Sequence, residues 1–193
     1  MIDLDEMQKA VAALAAALDA MSVPWAVGGS LASAAYGEPR ATNDIDVIAT
    51  LEEAQARELV NRLGPDFYAD ADAAADAARR RSSFNVIDKR SFIKLDVFIP
   101  SAGSLGVGQL DRRIYLDIFS GMSPVPVLGP EDVVLQKLRW FQIGGEVSDR
   151  QWRDILSVLR GMGRELDGAY LDRVCAEGNL IELLARARHD AET

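Results

Sequence analysis

The stretch from Val27 to Ile48, VGGSLASAAYGEPRATNDIDVI, constrains the fold most, because it passes from strand to helix to strand with no room for anything else. The apolar run Trp25-Ala26-Val27 ends in Gly28-Gly29-Ser30, and the residues from Leu31 to Tyr36 favour a helix with small side chains. A strand that enters a helix through glycine leaves the first backbone N–H groups of the helix unpaired. The turn therefore offers the positive helix end, with the Ser30 hydroxyl beside it, to a phosphate. The polar loop Gly37-Glu38-Pro39-Arg40-Ala41-Thr42-Asn43 returns the chain to Asp44-Ile45-Asp46-Val47-Ile48. Its alternation reads as a strand with Ile45, Val47 and Ala49 on the buried face and both carboxylates on the other.

Two aspartates on one strand face repel each other unless something positive sits between them. Spaced by two residues, or about 6.5 Å, they suit a divalent cation gripped between them or a pair of cations shared. A third carboxylate is available in Ser91-Phe92-Ile93-Lys94-Leu95-Asp96-Val97-Phe98-Ile99. Here Ile93, Leu95, Val97 and Ile99 fill the buried face and leave Lys94 and Asp96 on the opposite one. Placed beside the first strand, at about 4.8 Å spacing, this strand brings Asp96 within reach of the same metals. Lys94 then either offsets carboxylate repulsion or contacts phosphate.

Gly28-Gly29-Ser30, then Asp44-x-Asp46, then a lone Asp96 on a later strand, resembles the DNA polymerase β-like nucleotidyltransferase superfamily. Within it the chain is most similar to the small bacterial nucleotidyltransferases of the abortive-infection toxin (AbiEii-like) kind, over about residues 24–156. The resemblance implies that the glycine-serine turn holds a triphosphate and that the three carboxylates bind two magnesium ions, with manganese as a substitute. It also implies that Lys137 meets the triphosphate, and that Arg150 and Asp154 close a C-terminal motif. Family members often carry an acidic residue directly after that arginine, and Gln151 departs from this.

The bland readings stand beside these. Lys137 neighbours the apolar stripe Val134, Leu138 and Phe141 of a helix opened by Pro130-Glu131-Asp132, so its stem also serves as packing. Asp154 either holds Lys137 or Arg40 in place or is a solvated helix position. Arg40 either meets a nucleotide phosphate or is a surface charge.

Composition narrows the function classes. A chain of 193 residues with 49% hydrophobic content builds a real core as one domain with a modest extension. A net charge of -9 argues against general DNA binding, which draws its affinity from basic residues. The basic run Arg79-Arg80-Arg81, with Lys89 and Arg90, reads as a solvated face, and is the first place to look if the acceptor is RNA. The lone cysteine, Cys175, and lone histidine, His189, make no disulfide and no soft zinc site. The acidic N-terminus lacks a basic n-region, and its apolar run is too short to span a membrane. A cytoplasmic location follows as the expectation.

Along the chain, helices are predicted over residues 5–21, 51–63 and 70–81, with Asp3 near the start of the first, and a short strand at Phe67-Tyr68. Ser83 to Ile87 and the Asp96 strand form an antiparallel hairpin. Residues 101–108 read as a mobile loop, 112–119 and 125–128 as two edge strands, and everything from Pro130 as helical, broken at Gly144-Gly145, Gly161-Met162-Gly163 and Gly178. Trp25, Trp140 and Trp152 read as core, with one of them a candidate to border a base pocket.

The expected fold is therefore α+β. A mixed β-sheet flanked by helices forms a nucleotidyltransferase core over residues 1–129, and residues 130–193 form a helical subdomain packed on it. The leading function is transfer of an NMP from an NTP such as ATP onto an RNA (tRNA included), protein or small-molecule acceptor, with pyrophosphate released. An antitoxin partner is expected if the enzyme is a toxin. The rivals are a catalytically silent nucleotide-binding module, which should have lost a carboxylate, and an antibiotic-modifying nucleotidyltransferase, which differs in its acceptor pocket.

Overall fold

The computed structural model describes residues 4–42, 44–103, 105–106 and 108–193. Asp3, Asn43 of the return loop, and Ser104 and Val107 of the 101–108 loop lie outside the described residues. Seven strands form one mixed sheet. They are β1 (Trp25–Val27), β2 (Asp44–Ala49), β3 (Phe67–Tyr68), β4 (Ser83–Asp88), β5 (Lys94–Phe98), β6 (Ile114–Leu116) and β7 (Val125–Val127), ordered β3-β4-β5-β2-β1-β7-β6. β2 runs antiparallel to β1 and parallel to β5, while β4 and β5 form the expected antiparallel hairpin.

The core follows the alternation seen in the sequence. Ile45, Val47, Leu95 and Val97 are buried on one sheet face. Helix α1 (Leu4–Ala20) packs on α3 (Glu53–Leu63) and adds to the same core Met7, Val11, Leu14 and Leu18, the stripe that its helical spacing promises. Helices α3 and α4 (Ala71–Arg80) pack on each other. Asp70 starts α4 by accepting the Asp72 and Ala73 N–H groups, and Arg81 ends it in the left-handed region.

Helix α2 (Gly29–Tyr36) follows β1 directly, as the glycine turn requires. Helices α5 (Pro130–Ile143), α6 (Asp149–Met162), α7 (Gly168–Glu177) and α8 (Ile181–Glu192) make up the C-terminal part. Both α5 and α6 pack on α2. The approach of α6 is close because two glycines allow it. A Cβ on Gly161 would stand 2.2 Å from the Tyr36 carbonyl oxygen, and one on Gly37 would stand 1.9 Å from the Ser157 hydroxyl. The Tyr36 hydroxyl donates to the Leu128 carbonyl at 2.8 Å, fixing the far end of α2 to the end of β7.

Three strands differ from their predictions. That read over 91–99 is only Lys94–Phe98, and β7, read as an edge strand, lies between β1 and β6 because β6 takes the edge. The strand expected over 112–119 is only Ile114–Leu116. Arg112 ahead of it is drawn off the strand to Asp132, and the chain turns again at Ser120-Gly121, where Gly121 has a positive φ.

Candidate active site

The register of β2 against β5 sets the site. Asp44 lies level with Lys94, Asp46 with Asp96, and Ile48 with Phe98. These six residues share the face opposite the core, so it passes from charged to apolar in three rows. The Lys94 ammonium donates to Asp96 at 2.8 Å and there offsets part of the carboxylate charge. Its pKa is raised, first by that hydrogen bond, against a smaller opposing effect of burial. Asp44 is exposed at the start of β2.

Asp46 is the under-compensated member. Burial pushes its pKa up, the neighbouring Asp96 charge adds to this, and Lys137 and the Ser30 N–H, which donates to its carboxylate, only partly offset them. Gly29 explains how that N–H comes so near. It has φ of +55°, and a Cβ there would stand 1.6 Å from Asp46 Oδ2. Only glycine permits both the backbone conformation and the approach. The Gly28 N–H donates to the Asp46 carbonyl at 2.9 Å, which ties the turn to the strand twice.

Facing this corner is a cluster that sequence spacing left divided between function and packing. Asp154 of α6 accepts Arg40 Nε at 2.8 Å and Arg40 Nη2 at 3.0 Å, and accepts the Lys137 ammonium at 2.5 Å. It holds both candidates at once. Arg40 Nη2 also donates to the Ser30 hydroxyl. Burial raises the Asp154 pKa, but the hydrogen bonds from Arg40 and Lys137 outweigh it, and the net shift is downward. Burial pulls the Lys137 pKa below the ordinary lysine value, with Asp154 opposing.

Gly29, Ser30, Arg40, Asp46, Lys137, Arg150 and Asp154 line one open cleft of about 830 Å³, with Asp96 level with Asp46 on the next strand but, like Asp44 and Lys94, outside the lining. Arg40, Arg81, Lys137, Arg139 and Arg150 stand on its walls against Asp46, Asp154 and Glu177, an excess of positive charge in a chain whose net charge is -9. Such a local reversal of sign concentrates a polyanion there.

Arg79, Arg80, Arg81, Lys89 and Arg90 are all exposed, as expected of a solvated face. Arg79 and Arg80 pair with Asp76, Arg90 with Glu6, and Lys89 donates to the Pro65 carbonyl, while Arg81 alone joins the cleft. Cys175 is fully buried, and burial pushes its thiol up to about 11, so it is inert. His189 is exposed on α8.

Among the described residues no three metal-capable side chains converge into a ready cluster. The donor chemistry of the Asp46–Asp96 row nevertheless suits a hard divalent cation. The two carboxylates lie level on adjacent strands, one already holds an ammonium ion, and the other remains short of positive charge. Two features of the cleft go beyond the sequence reading. Of the three tryptophans read as core, with one a candidate to border a base pocket, Trp140 is 48% exposed and forms part of the wall. Gln151 contributes Oε1, the one buried side-chain polar atom among the described residues that has no hydrogen-bond partner. Its departure from the family pattern was the available signal.

The fold is shared with known proteins. An antigenic nucleotidyltransferase-like protein from Paracoccidioides brasiliensis superposes with a TM-score of 0.58 at 21% identity, covering 96% of this chain and 93% of that one. The antibiotic-resistance factor ANT(2″)-Ia gives 0.56 at 15% identity, covering 93% and 95%. A Thermotoga maritima protein described as a nucleotidyltransferase gives 0.51 at 19% identity, covering 80% and 96%. At these identities the likeness is one of fold. No curated protein matches the sequence. No described helix is long and apolar enough to cross a membrane. Residues 12–179 match the family described as "Nucleotidyl transferase AbiEii toxin, Type IV TA system", and the chain belongs to that family and is a nucleotidyltransferase.

Proposed function

We propose that the chain transfers an NMP from an NTP to a nucleophilic hydroxyl on an RNA, protein or small-molecule acceptor and releases pyrophosphate, with magnesium required. The observation that carries this reading is the closeness of two unlike corners. An under-neutralised carboxylate pair, Asp46 and Asp96, stands next to a turn whose N–H groups, hydroxyl and cations all suit phosphate.

Asp46 and Asp96, with Asp44 at the exposed end of the same face, are the residues that would hold magnesium ions, two by family resemblance. Bound there, the metal supplies Lewis-acid stabilisation of the charge that develops on the phosphoryl oxygens. The remaining work falls to the protein. The Gly29 N–H and the Ser30 hydroxyl orient the terminal phosphates at the start of α2, while the Ser30 N–H stays on Asp46. Arg40 and Lys137, held by Asp154, offset their charge without any rearrangement when substrate arrives. Arg150 adds charge from the wall of the cleft. Fixing the triphosphate in this way points the α-phosphorus away from the turn, toward an acceptor entering from the open side.

The test supplies each labelled NTP with magnesium and a cell extract, and follows label into RNA, protein and small molecules. Wild type should transfer label from at least one NTP and Asp46→Ala from none. If the two behave alike with every nucleotide, the reading is wrong.

A further inference from the structure

Two independent registers lead outward from the phosphate corner, and they arrive at the same place. On the sheet, the row after Asp46–Asp96 is Ile48–Phe98, about 6.6 Å further along the same face. On the helices, α5 and α6 are joined by a short connection and run in opposite directions, and Lys137 meets Asp154. One turn further along α5, about 5.4 Å, is Trp140; one turn back along α6 is Gln151, so the antiparallel register brings these two level. The sheet row and the helix row touch, since the Phe98 and Trp140 rings meet edge-on with centroids 6.1 Å apart.

Each of these residues has something unspent. The other two tryptophans have partners: Trp25 is core and donates to Asp19, and Trp152 stacks on Phe141 and donates to Asp190. Trp140 has its indole half exposed into the cleft, although it is the kind of side chain that a folded protein buries. Gln151 lines the cleft, yet its Oε1 is turned inward and has no hydrogen-bond partner. A buried acceptor without a partner is costly, and rotating the amide toward the cleft, where a ligand N–H can fill it, removes that cost.

We infer that the base of the bound NTP stacks on the exposed Trp140 ring, which the edge-on Phe98 ring props from the sheet, and that Gln151 reads a hydrogen-bonding group on the base's edge. The occupant follows from the spacing. With the triphosphate at Gly29-Ser30 and its α-phosphate beside the carboxylates, one strand row beyond is roughly the span of a ribose, so the Trp140 ring lies where the tethered base falls. Stacking on the aromatic platform serves any base, while the amide of Gln151 is the element able to distinguish one from another. This inference rests on the nucleotidyltransferase reading above and adds to it the site of base recognition.

Calorimetry without acceptor, using ATP, GTP, CTP, UTP and inorganic tripolyphosphate with magnesium, separates the two. Trp140→Leu should weaken the best-bound NTP about tenfold or more and leave tripolyphosphate unchanged, while Trp140→Phe stays within about threefold of wild type. Gln151→Leu should narrow the spread of affinities among the four NTPs, again with tripolyphosphate unchanged. Equal NTP binding by wild type and Trp140→Leu would overturn the platform, as would equal weakening of NTP and tripolyphosphate, which marks a merely structural role. An unaltered spread in Gln151→Leu would remove Gln151 from base reading. Wild type that binds neither NTP nor tripolyphosphate brings down the phosphate corner itself, and this inference with it.

Discussion

Asp132 and Asp154 are two buried carboxylates on neighbouring helices, each gripped by an arginine through two nitrogens, yet they are built for different ends. Asp132 accepts Arg112 Nε and Nη2 at 2.9 and 2.7 Å and the Tyr170 hydroxyl at 2.9 Å, and the Arg112 guanidinium lies 4.2 Å from the centre of the Tyr170 ring. One anion meets one cation and a neutral phenol, and nothing is left over. The result ties the chain before β6 to α5 and α7. Asp154 meets two cations, Arg40 and Lys137, and the surplus positive charge is turned toward Ser30 and Asp46. The same carboxylate–arginine grip thus serves as a staple in one place and as a holder of charge for a ligand in the other. A cluster that balances itself stabilises; one that does not is waiting for a substrate.

The largest expected effect lies on the unbalanced side. Asp46→Ala or Asp96→Ala should lower nucleotidyl transfer by about a thousandfold or more, whereas Asp132→Ala should retain wild-type activity per folded molecule. Loss of transfer in Asp132→Ala, measured on protein shown to be folded, would erase the distinction.

Stability should divide the two clusters next. Asp154→Ala strands Lys137 as an unpaired buried cation and should cost about 3 kcal/mol in urea unfolding. Asp132→Ala should cost less, about 2 kcal/mol, because the Arg112 side chain is 36% exposed and can turn to water. Binding of tripolyphosphate should weaken only in Asp154→Ala.

Gly29→Ala sharpens the comparison from the turn. Its Cβ would meet the Asp46 carboxylate and its φ is positive, so a loss of about 1–3 kcal/mol is expected together with weaker triphosphate binding. Triphosphate affinity equal to wild type would show that the turn is not part of the phosphate site.

The smallest effect concerns pH. In the metal-free protein the Asp46 pKa is raised above its ordinary value of 3.8 by burial and by Asp96, so the folded state binds more protons than the unfolded one between those two values. Stability is therefore lost as pH rises through that window. Asp46→Asn removes the cost, and should be the more stable protein at neutral pH, with an advantage that shrinks as pH falls toward 3.8. Asp154 has the opposite sign: its contribution is present above the ordinary value of 3.8 and disappears only as pH falls through its lower folded pKa. Thermal melts of wild type, Asp46→Asn and Asp154→Ala from neutral pH down to below 3.8 check both signs.

Much of this was legible in the sequence because strong local rules set it. The alternation in Asp44 to Ala49 and in Ile93 to Ile99 sorted core from site face, and the glycine turn gave β1 and α2. What stayed hidden was long-range register. Nothing local says that Asp46 lies level with Asp96, or that Asp154 serves Arg40 and Lys137 together across more than a hundred residues of chain, whereas the Lys94–Asp96 option could be read from their spacing on one strand. The same limit hid which of the three tryptophans lines the cleft. An amphipathic helix spaces its apolar residues alike whether they face the core or a cleft, and only the placement of β5 against α5 separates the two.

The central claim is that the level pair Asp46 and Asp96 holds a divalent cation beside the phosphate turn. Anomalous scattering from crystals grown with manganese and a non-hydrolysable NTP analogue tests it most directly. A manganese peak is expected between those two carboxylates, with Lys94 displaced from Asp96 and the terminal phosphates on Gly29 and Ser30. A nucleotide bound elsewhere, or Lys94 still on Asp96 with no manganese at the pair, would contradict it.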